Sequence, residues 1–270
     1  MDPSELRAAL LDLNAVMQSD LLALWRAVDG QDVEFLREAL QAEVPAVVDP
    51  YLAASGDMTA DWYEAQAPRL AYTARPAPLP AQERLETTAR WAAGSVLSRS
   101  PVSPLDLLSG SMQRALFDES RRTVIDNAAA EPGARWARHA SANACEFCRM
   151  VATRGAVYAS ESSAGRVTGV SYGGTDYRKA KKLGVDVSSL RVGQRTETGR
   201  RASRKGLKRE IGDRYHDHCR CIAVAVRPGT SYEPPSYVEE WEAEYTRARK
   251  AAGGNDAKSI LSAWRKLQPE

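Results

Sequence analysis

The chain has 270 residues, 43% of them apolar, and its formal net charge at neutral pH is +2. This length predicts one or two domains, and the apolar content is sufficient for a buried core. Because the sequence contains no run of about 18 apolar residues, the composition excludes a membrane-spanning helix and predicts no membrane partner.

The small net charge hides an uneven distribution. Residues 1–130 contain 11 arginines and 19 acidic residues, a net charge of −8, whereas residues 178–214 contain 13 basic and 4 acidic residues, a net charge of +9. The first lysine of the chain is Lys179. A basic segment within a weakly acidic chain predicts contact with an anionic partner.

Residues 4–28 are predicted to form an amphipathic helix. Its apolar side chains recur at steps of three and four residues and form one stripe: Leu6, Leu10, Leu13, Met17, Leu21, Leu24 and Val28. Such a stripe packs either against the chain's own core or against a partner protein. In the second case we expect Leu10, Leu13, Met17 and Leu21 to anchor the helix in a groove of the partner.

The rest of residues 1–130 is also predicted to be helical. The periodicity predicts helices over 32–54, 58–72, 82–98 and 104–129. Pro45 and Pro50 predict kinks or breaks in the first of these. The Pro-rich stretch 75–82 is a connector of polyproline character, because each residue before a proline is pushed out of the helical region.

The character of the sequence changes at Glu131-Pro132-Gly133. Residues 131–228 contain the four cysteines and a β-like run at 221–226, which predicts a small α+β domain. Within it, 160–214 is rich in Gly, Ser and Arg and reads as a long, poorly buried loop. Residues 229–270 are predicted to form a helical tail, with helices over 236–251 and 256–267. The fold class is therefore α+β and mostly helical.

The cysteines and two of the histidines form two tight groups with the spacing of zinc ligands. The first is Cys145-x-x-Cys148, and the second contains His216, His218, Cys219 and Cys221. C-x-x-C points two sulfurs at one ion, and H-x-x-C supplies two more ligands in either of two registers. A third arrangement uses four sulfurs. Such a zinc is predicted to be structural and to stabilise the fold, since a small domain with a long polar insertion buries little apolar area. The alternative is a thiol pair or a disulfide without metal.

The basic segment 178–214 has the composition of a phosphate-binding stretch. Nine of its 13 basic side chains fall in three clusters: Lys179, Lys181 and Lys182; Arg200, Arg201, Arg204 and Lys205; and Lys208 and Arg209. Aromatic residues do not interleave these clusters, so base stacking is not indicated. The segment predicts sequence-independent contact with nucleic acid, with a solvated loop or an acidic protein partner as the other interpretations.

The cysteine motifs resemble those of the phage Mu F-like head morphogenesis family, the minor capsid proteins of tailed phages. The resemblance covers roughly 136–227 and rests on Ala144-Cys145-x-x-Cys148, Gly155-x-x-Tyr158 and His216-x-x-Cys219-Arg220-Cys221. The chain departs from that pattern at Asp217, where the family usually has proline, and in its long insertion. The version of the motifs found here is most similar to those of actinobacterial phages.

The resemblance implies a function in the phage head. It predicts a minor capsid protein inside the virion near the portal, made in the host cytoplasm and acting in capsid assembly, DNA packaging or ejection. The implied partners are the portal protein, the major capsid or scaffold protein and packaged double-stranded DNA. The implied zinc ligands are Cys145, Cys148, His216 and Cys219, with His218 and Cys221 as alternates.

Two other functions are weighed against this one. Gly169-x-Ser171-x-Gly173 matches the nucleophile elbow of hydrolases, and similar phage genes are often called capsid maturation proteases that cleave capsid or scaffold proteins. An elbow needs a buried strand and a large sheet, which this region is too short to supply; a second dyad of His139 with Ser141 or Cys145 rests on proximity alone. We therefore predict a protein that is not an enzyme. The third function is that of a DNA-binding accessory protein of the virion.

Overall fold

The structure is a computed structural model, which describes residues 2–97, 102–153, 219–253 and 257–267. Several predicted site residues lie outside the described ranges, namely Ser171, His216, His218 and the nine basic residues of the three clusters named above. Within the described ranges the chain forms seven α-helices and one two-stranded sheet. This confirms the α+β, mostly helical class.

The chain divides into two compact units. The first comprises Met1–Ser160 and Tyr215–Glu239, and the second comprises Glu161–Arg214 and Glu240–Glu270. The boundary predicted between residues 130 and 131 therefore falls inside the first unit. None of the described helices combines the length and the apolar character needed to cross a membrane.

Helix α1 (Pro3–Val28) carries its apolar stripe on the inside of the first unit. A capping box between Asp2 and Glu5 starts the helix. Leu10, Met17 and Leu21 are fully buried, and α1 packs on the two long helices that follow it. The stripe is thus core. The expectation that it anchors the chain to a partner is wrong for these three side chains, because they are already covered by the chain itself; Leu13 is half-buried.

Helix α2 (Val33–Ala65) is longer than predicted and runs through both Pro45 and Pro50. The break predicted between 54 and 58 does not occur. The residue there is Gly56, whose Cβ position lies 3.1 Å from the side chain of Pro76. The absence of a side chain at Gly56 allows α2 and the segment after it to pack closely. The glycine does not form a turn.

The segment 66–81 is non-helical, and side chains of helix α4 (Pro104–Ala130) hold it in place. This confirms the connector predicted from residue 75, whereas the helix predicted over 58–72 already ends at Ala65. The backbone N–H of Ala77 donates to Thr123 Oγ1 at 2.9 Å, and that of Arg75 donates to Asn127 Oδ1 at 3.0 Å. Asn127 Nδ2 in turn donates to the carbonyl of Arg75 at 2.7 Å. These polar side chains of α4 thus form the hydrogen bonds that a neighbouring strand would otherwise provide to the extended backbone.

Two helices complete the bundle. Helix α3 (Gln82–Gly94) continues into a 3₁₀ turn, Ser95–Leu97, and α4 (Pro104–Ala130) begins at the Ser103 cap, whose Oγ accepts from the N–H of Asp106 at 3.0 Å. Both helices confirm the predicted ranges. Gly133, with φ +84°, then turns the chain from α4 into the sheet.

The sheet consists of β1 (Arg135–His139) and β2 (Ile222–Val226), paired antiparallel from Arg135 opposite Val226 to His139 opposite Ile222. Strand β2 confirms the β-like run at 221–226, whereas β1 was not predicted. All five residues of β2 are buried, and the strand packs on α4. A two-stranded ribbon cannot bury its own apolar face, so it joins the helices instead of forming a separate domain.

Three further helices are present in the described structure. Helix α5 (Glu146–Ala152) packs on β1, and α6 (Tyr237–Ala251) and α7 (Ala257–Leu267) confirm the two helices predicted in the tail. In the second unit the Trp264 indole donates to the Glu244 carboxylate at 2.9 Å.

A buried ion pair joins the end of β2 to the helices. Arg227 binds Glu131 through two parallel hydrogen bonds, from Nη2 to Oε1 at 2.8 Å and from Nε to Oε2 at 3.0 Å. Its third nitrogen donates to the carbonyls of Glu64 and Ala67 at the end of α2. Burial acts to raise the pKa of Glu131, but the hydrogen bonds from Arg227 and from the Tyr63 hydroxyl outweigh it and leave this pKa lowered.

We predict that Arg227→Met lowers the free energy of unfolding by about 3–5 kcal/mol, because it leaves the Glu131 charge buried without its cationic partner. The measurement is urea denaturation followed by circular dichroism. Glu34→Ala is the matched control, since it breaks an ion pair whose Glu34 side chain is 66% exposed and should cost less than about 1 kcal/mol. Equal losses in both variants would contradict the prediction.

A second buried carboxylate, that of Glu119 on α4, lacks the paired hydrogen bonds that Glu131 receives. It is 2% exposed, and within the described structure its Oε1 has no hydrogen-bond partner. Burial raises its pKa to about 7, against the opposing effect of Arg122. The folded protein therefore retains a proton on Glu119 over a pH range in which the unfolded chain releases it.

We predict that Glu119 makes the protein more stable at pH 5 than at pH 8. Its contribution is fully present below the unfolded pKa, near 4.5, and is lost as the pH rises through about 7, a change of about 3 kcal/mol. Thermal melts of the wild type and of Glu119→Gln from pH 5 to 8 measure it as the difference between the two proteins. The difference is needed because His139, with its pKa lowered to about 4, contributes in the opposite direction, losing stability as the pH falls below about 6.5. A constant difference across this range would refute the assignment.

Candidate metal centre

The C-x-x-C motif lies at the beginning of α5. Cys145 is the N-cap residue of this helix and Cys148 is in its first turn. The N-cap side chain and that of the third helical residue lie on the same side of the first turn, as capping interactions show. The short helix therefore presents both sulfurs together, with Cys148 buried and Cys145 half-buried.

The second cysteine pair precedes β2. In Cys219-Arg220-Cys221 the two cysteines are buried and Arg220 is exposed. This alternation is that of an extended chain, in which residues two apart point to the same side. Cys219 and Cys221 thus point together into the unit.

The described structure brings three sulfurs together. Those of Cys148, Cys219 and Cys221 lie within 4.8 Å of one another, and the Cys148–Cys219 distance is 3.6 Å. Cys145 also hydrogen-bonds to Cys148. With Zn–S bonds of about 2.3 Å, tetrahedral geometry separates two sulfurs by about 3.8 Å, so the spacing fits a thiolate site for a metal ion.

The electrostatics of the cluster follow from this crowding. Hydrogen bonds from Cys148 and Cys221 lower the pKa of Cys219, and the charge of Arg121 adds to the effect. Hydrogen bonds to Cys145, Cys219 and Cys221, together with burial, raise the pKa of Cys148. Ionisation of one buried thiol thus opposes ionisation of its neighbours, because adjacent thiolates repel each other. A bound cation that replaces their protons removes this opposition.

Arg121 on α4 fixes the backbone of the second pair. This side chain is 1% exposed; its Nε donates to the carbonyl of Cys221 at 2.8 Å and its Nη2 to that of Cys219 at 3.0 Å. Nη1 pairs with Asp118 at 2.7 Å. Sequence reasoning missed Arg121, although one signal was available: it occupies the apolar face of α4, four residues after Phe117, where a charged side chain needs buried partners.

The predicted ligands are brought together in part. Cys148 and Cys219 lie together, and Cys221, predicted as an alternate, joins them, whereas Cys145 is linked to the cluster through Cys148 in the described structure. His216 and His218 lie outside the described residues. One sequence signal favours Cys221 as a ligand, namely the C-x-C spacing directly before a strand. In an extended chain this spacing of two residues places both sulfurs on one side.

His139 lies in a different environment. It is 4% exposed at the end of β1, with Nδ1 3.1 Å from the Tyr232 hydroxyl oxygen. Burial lowers its pKa to about 4, and the charge of Arg7 contributes to the shift. Ser171 of the predicted nucleophile elbow lies outside the described residues, and the dyad of His139 with Ser141 or Cys145 stays an untested hypothesis.

We predict that Cys148→Ser, Cys219→Ser and Cys221→Ser each abolish metal binding, because each removes one of three mutually adjacent sulfurs. The measurement is metal content per chain by inductively coupled plasma mass spectrometry after dialysis. His216→Ala and His218→Ala are the controls, and both are expected to retain the metal. Retention by Cys221→Ser together with loss in His216→Ala would instead select the ligand set that the family resemblance implies.

Comparison with known proteins places the chain in a family. No significant similarity links it to a curated protein or to a solved structure. The family model described as VG15 protein matches residues 1–181 and 192–248, which includes both cysteine pairs and nearly the whole helical bundle. The phage origin implied by the motifs is confirmed, whereas the Mu F-like assignment stays a prediction. The chain belongs to the VG15 protein family of phages.

Proposed function

We propose that this protein is a minor structural component of a tailed-phage head, and that a structural zinc ion at its cysteine cluster stabilises its fold. The observation that carries the proposal is the family match, which extends across the helical bundle and both cysteine pairs. The motif resemblance to head morphogenesis proteins supports the same function. The virion interior near the portal is the proposed location, with the host cytoplasm as the site of assembly.

The cysteine cluster supports a structural role for the zinc. Cys145 and Cys148 belong to α5, and Cys219 and Cys221 precede β2, so four thiolates would join two segments separated by about 70 residues of sequence. Zinc supplies cross-linking energy when bound, on the order of 10 kcal/mol in zinc-finger peptides. Four thiolates complete a tetrahedral site and leave no position for a water or substrate. We therefore propose that the protein is not an enzyme.

The partners proposed are the portal protein and the major capsid or scaffold protein. Support comes from the motif resemblance and from the family match, not from the apolar stripe of α1, which is buried. Contact with packaged double-stranded DNA through 178–214 and the protease activity of Ser171 stay hypotheses, because these residues lie outside the described ranges.

The proposal predicts that the protein is found in purified phage particles and contains one zinc ion per chain. Quantitative mass spectrometry of particles before and after DNA ejection gives its copy number and location, and we expect only a few copies per particle. Zinc removal by chelation should lower the melting temperature of the whole first unit, because β2 packs directly on α4.

An amber mutant of the gene provides the control. Complementation by the wild type should restore DNA-filled heads, and Cys148→Ser should fail to do so, whereas Ser171→Ala should succeed. A protein that is abundant in the lysate but absent from particles would overturn the structural role. Uncleaved capsid or scaffold protein with Ser171→Ala would support the protease instead.

A further inference from the structure

One end of the helical bundle exposes large apolar side chains. Phe35, Trp91, Val96, Leu97 and Val102 are 49%, 55%, 48%, 67% and 44% exposed, respectively. We call these five residues the apolar end. They account for five of the eight large apolar side chains that are exposed in the described structure.

The topology places these residues at the same end of the bundle. The guanidinium of Arg37, near the beginning of α2, lies 2.9 Å from the Cβ position of Gly94 at the end of α3. The beginning of α2, which carries Phe35, therefore lies beside the α3 terminus, although Phe35 projects from a different side of α2 than Arg37. Trp91, Val96 and Leu97 belong to that terminus and the turn after it. Val102 directly precedes the cap of α4.

This concentration differs from ordinary surface composition. Single exposed apolar residues are normal, but a concentration of them marks an interaction surface. Tryptophan is enriched among the residues that dominate binding energy, and aliphatic neighbours that exclude water around it strengthen its contribution. Trp91, with Leu97 six residues later, has this character.

The charges around the apolar end indicate the chemistry of its partner. At this end of the described helices the exposed acidic side chains are Asp29, Asp32, Glu34, Glu38 and Asp106, and the basic ones are Arg26, Arg90 and the partly exposed Arg37, which forms an ion pair with Glu34. The surroundings are thus net negative. Two copies of this surface placed face to face would repel each other, whereas a partner with basic flanks would be attracted.

We propose that the apolar end binds an amphipathic helix of another protein, whose apolar face is flanked by lysine or arginine. Apolar side chains of that helix cover Trp91 and Leu97, and its basic flanks pair with the acidic side chains around them. The inference uses only this surface and its charges, so it stands or falls independently of the phage-head proposal.

The test uses the full-length protein and two dye-labelled helical peptides of equal length and identical pattern. One peptide combines leucine with lysine, and the other combines leucine with glutamate. Fluorescence anisotropy should show the lysine peptide binding at least about tenfold more tightly than the glutamate peptide. This difference should shrink as salt is added, because exposed charges are screened.

Variants locate the binding surface. Trp91→Ser with Leu97→Ser should weaken binding of the lysine peptide by about tenfold or more. Val16→Ser is the matched control: Val16 on α1 is 54% exposed, lies outside the apolar end and should bind like the wild type. Val96→Ser with Val102→Ser is an independent second variant, expected to weaken binding as well. All three should melt with the wild type, because the altered side chains are exposed.

Three results would overturn the proposal. Equal affinity for both peptides would remove the charge argument, and wild-type binding by both double variants would place the peptide elsewhere. Concentration-dependent dimers in analytical ultracentrifugation that Trp91→Ser with Leu97→Ser dissolves would show that a second copy of this chain occupies the surface.

Discussion

Two buried arginines hold strand β2 at its two ends, and the rest of the first unit depends on them. Arg121 binds the carbonyls of Cys219 and Cys221 just before the strand, and Arg227, just after it, binds Glu131 and the carbonyls that end α2. A buried guanidinium is costly unless its donors are satisfied. Each arginine therefore allows only a narrow range of strand positions, and the small sheet becomes a fixed part of the helical bundle.

This constraint links the cysteine cluster to the bundle. Because Arg121 fixes the backbone of Cys219 and Cys221, their sulfurs have a defined position against α4 before any metal binds. Cys145 and Cys148 reach the same point through α5, which packs on β1 and so on β2. The cluster joins elements that are already positioned, which is the arrangement expected of a preorganised site.

The long helices α2 and α4 contact each other partly through buried polar groups. The Thr59 hydroxyl bonds to the Ser120 hydroxyl at 2.8 Å, and that of Ser55 donates to the carbonyl of Leu116 at 2.9 Å. Such contacts specify one register between the helices, because a shift by one residue would leave buried hydroxyls without partners. On the same face, Glu119 lacks a hydrogen-bond partner for Oε1 in the described structure, and its protonation therefore changes with pH.

The sequence by itself determined helices α1, α3, α4, α6 and α7, strand β2 and the metal-ligand spacing of the cysteine pairs. Periodicity, caps and C-x-x-C spacing are local, and each was readable from a few neighbouring residues. Only the tertiary structure decided which face was core and which sulfurs met. Local spacing predicted a break between 54 and 58, whereas Gly56 in that stretch lies against Pro76, 20 residues away in sequence. The α1 stripe had two interpretations because periodicity does not identify the covering surface. Strand β1 and the buried arginines were missed for the same reason: their partners lie about 80 to 100 residues away, and such pairing leaves no local pattern.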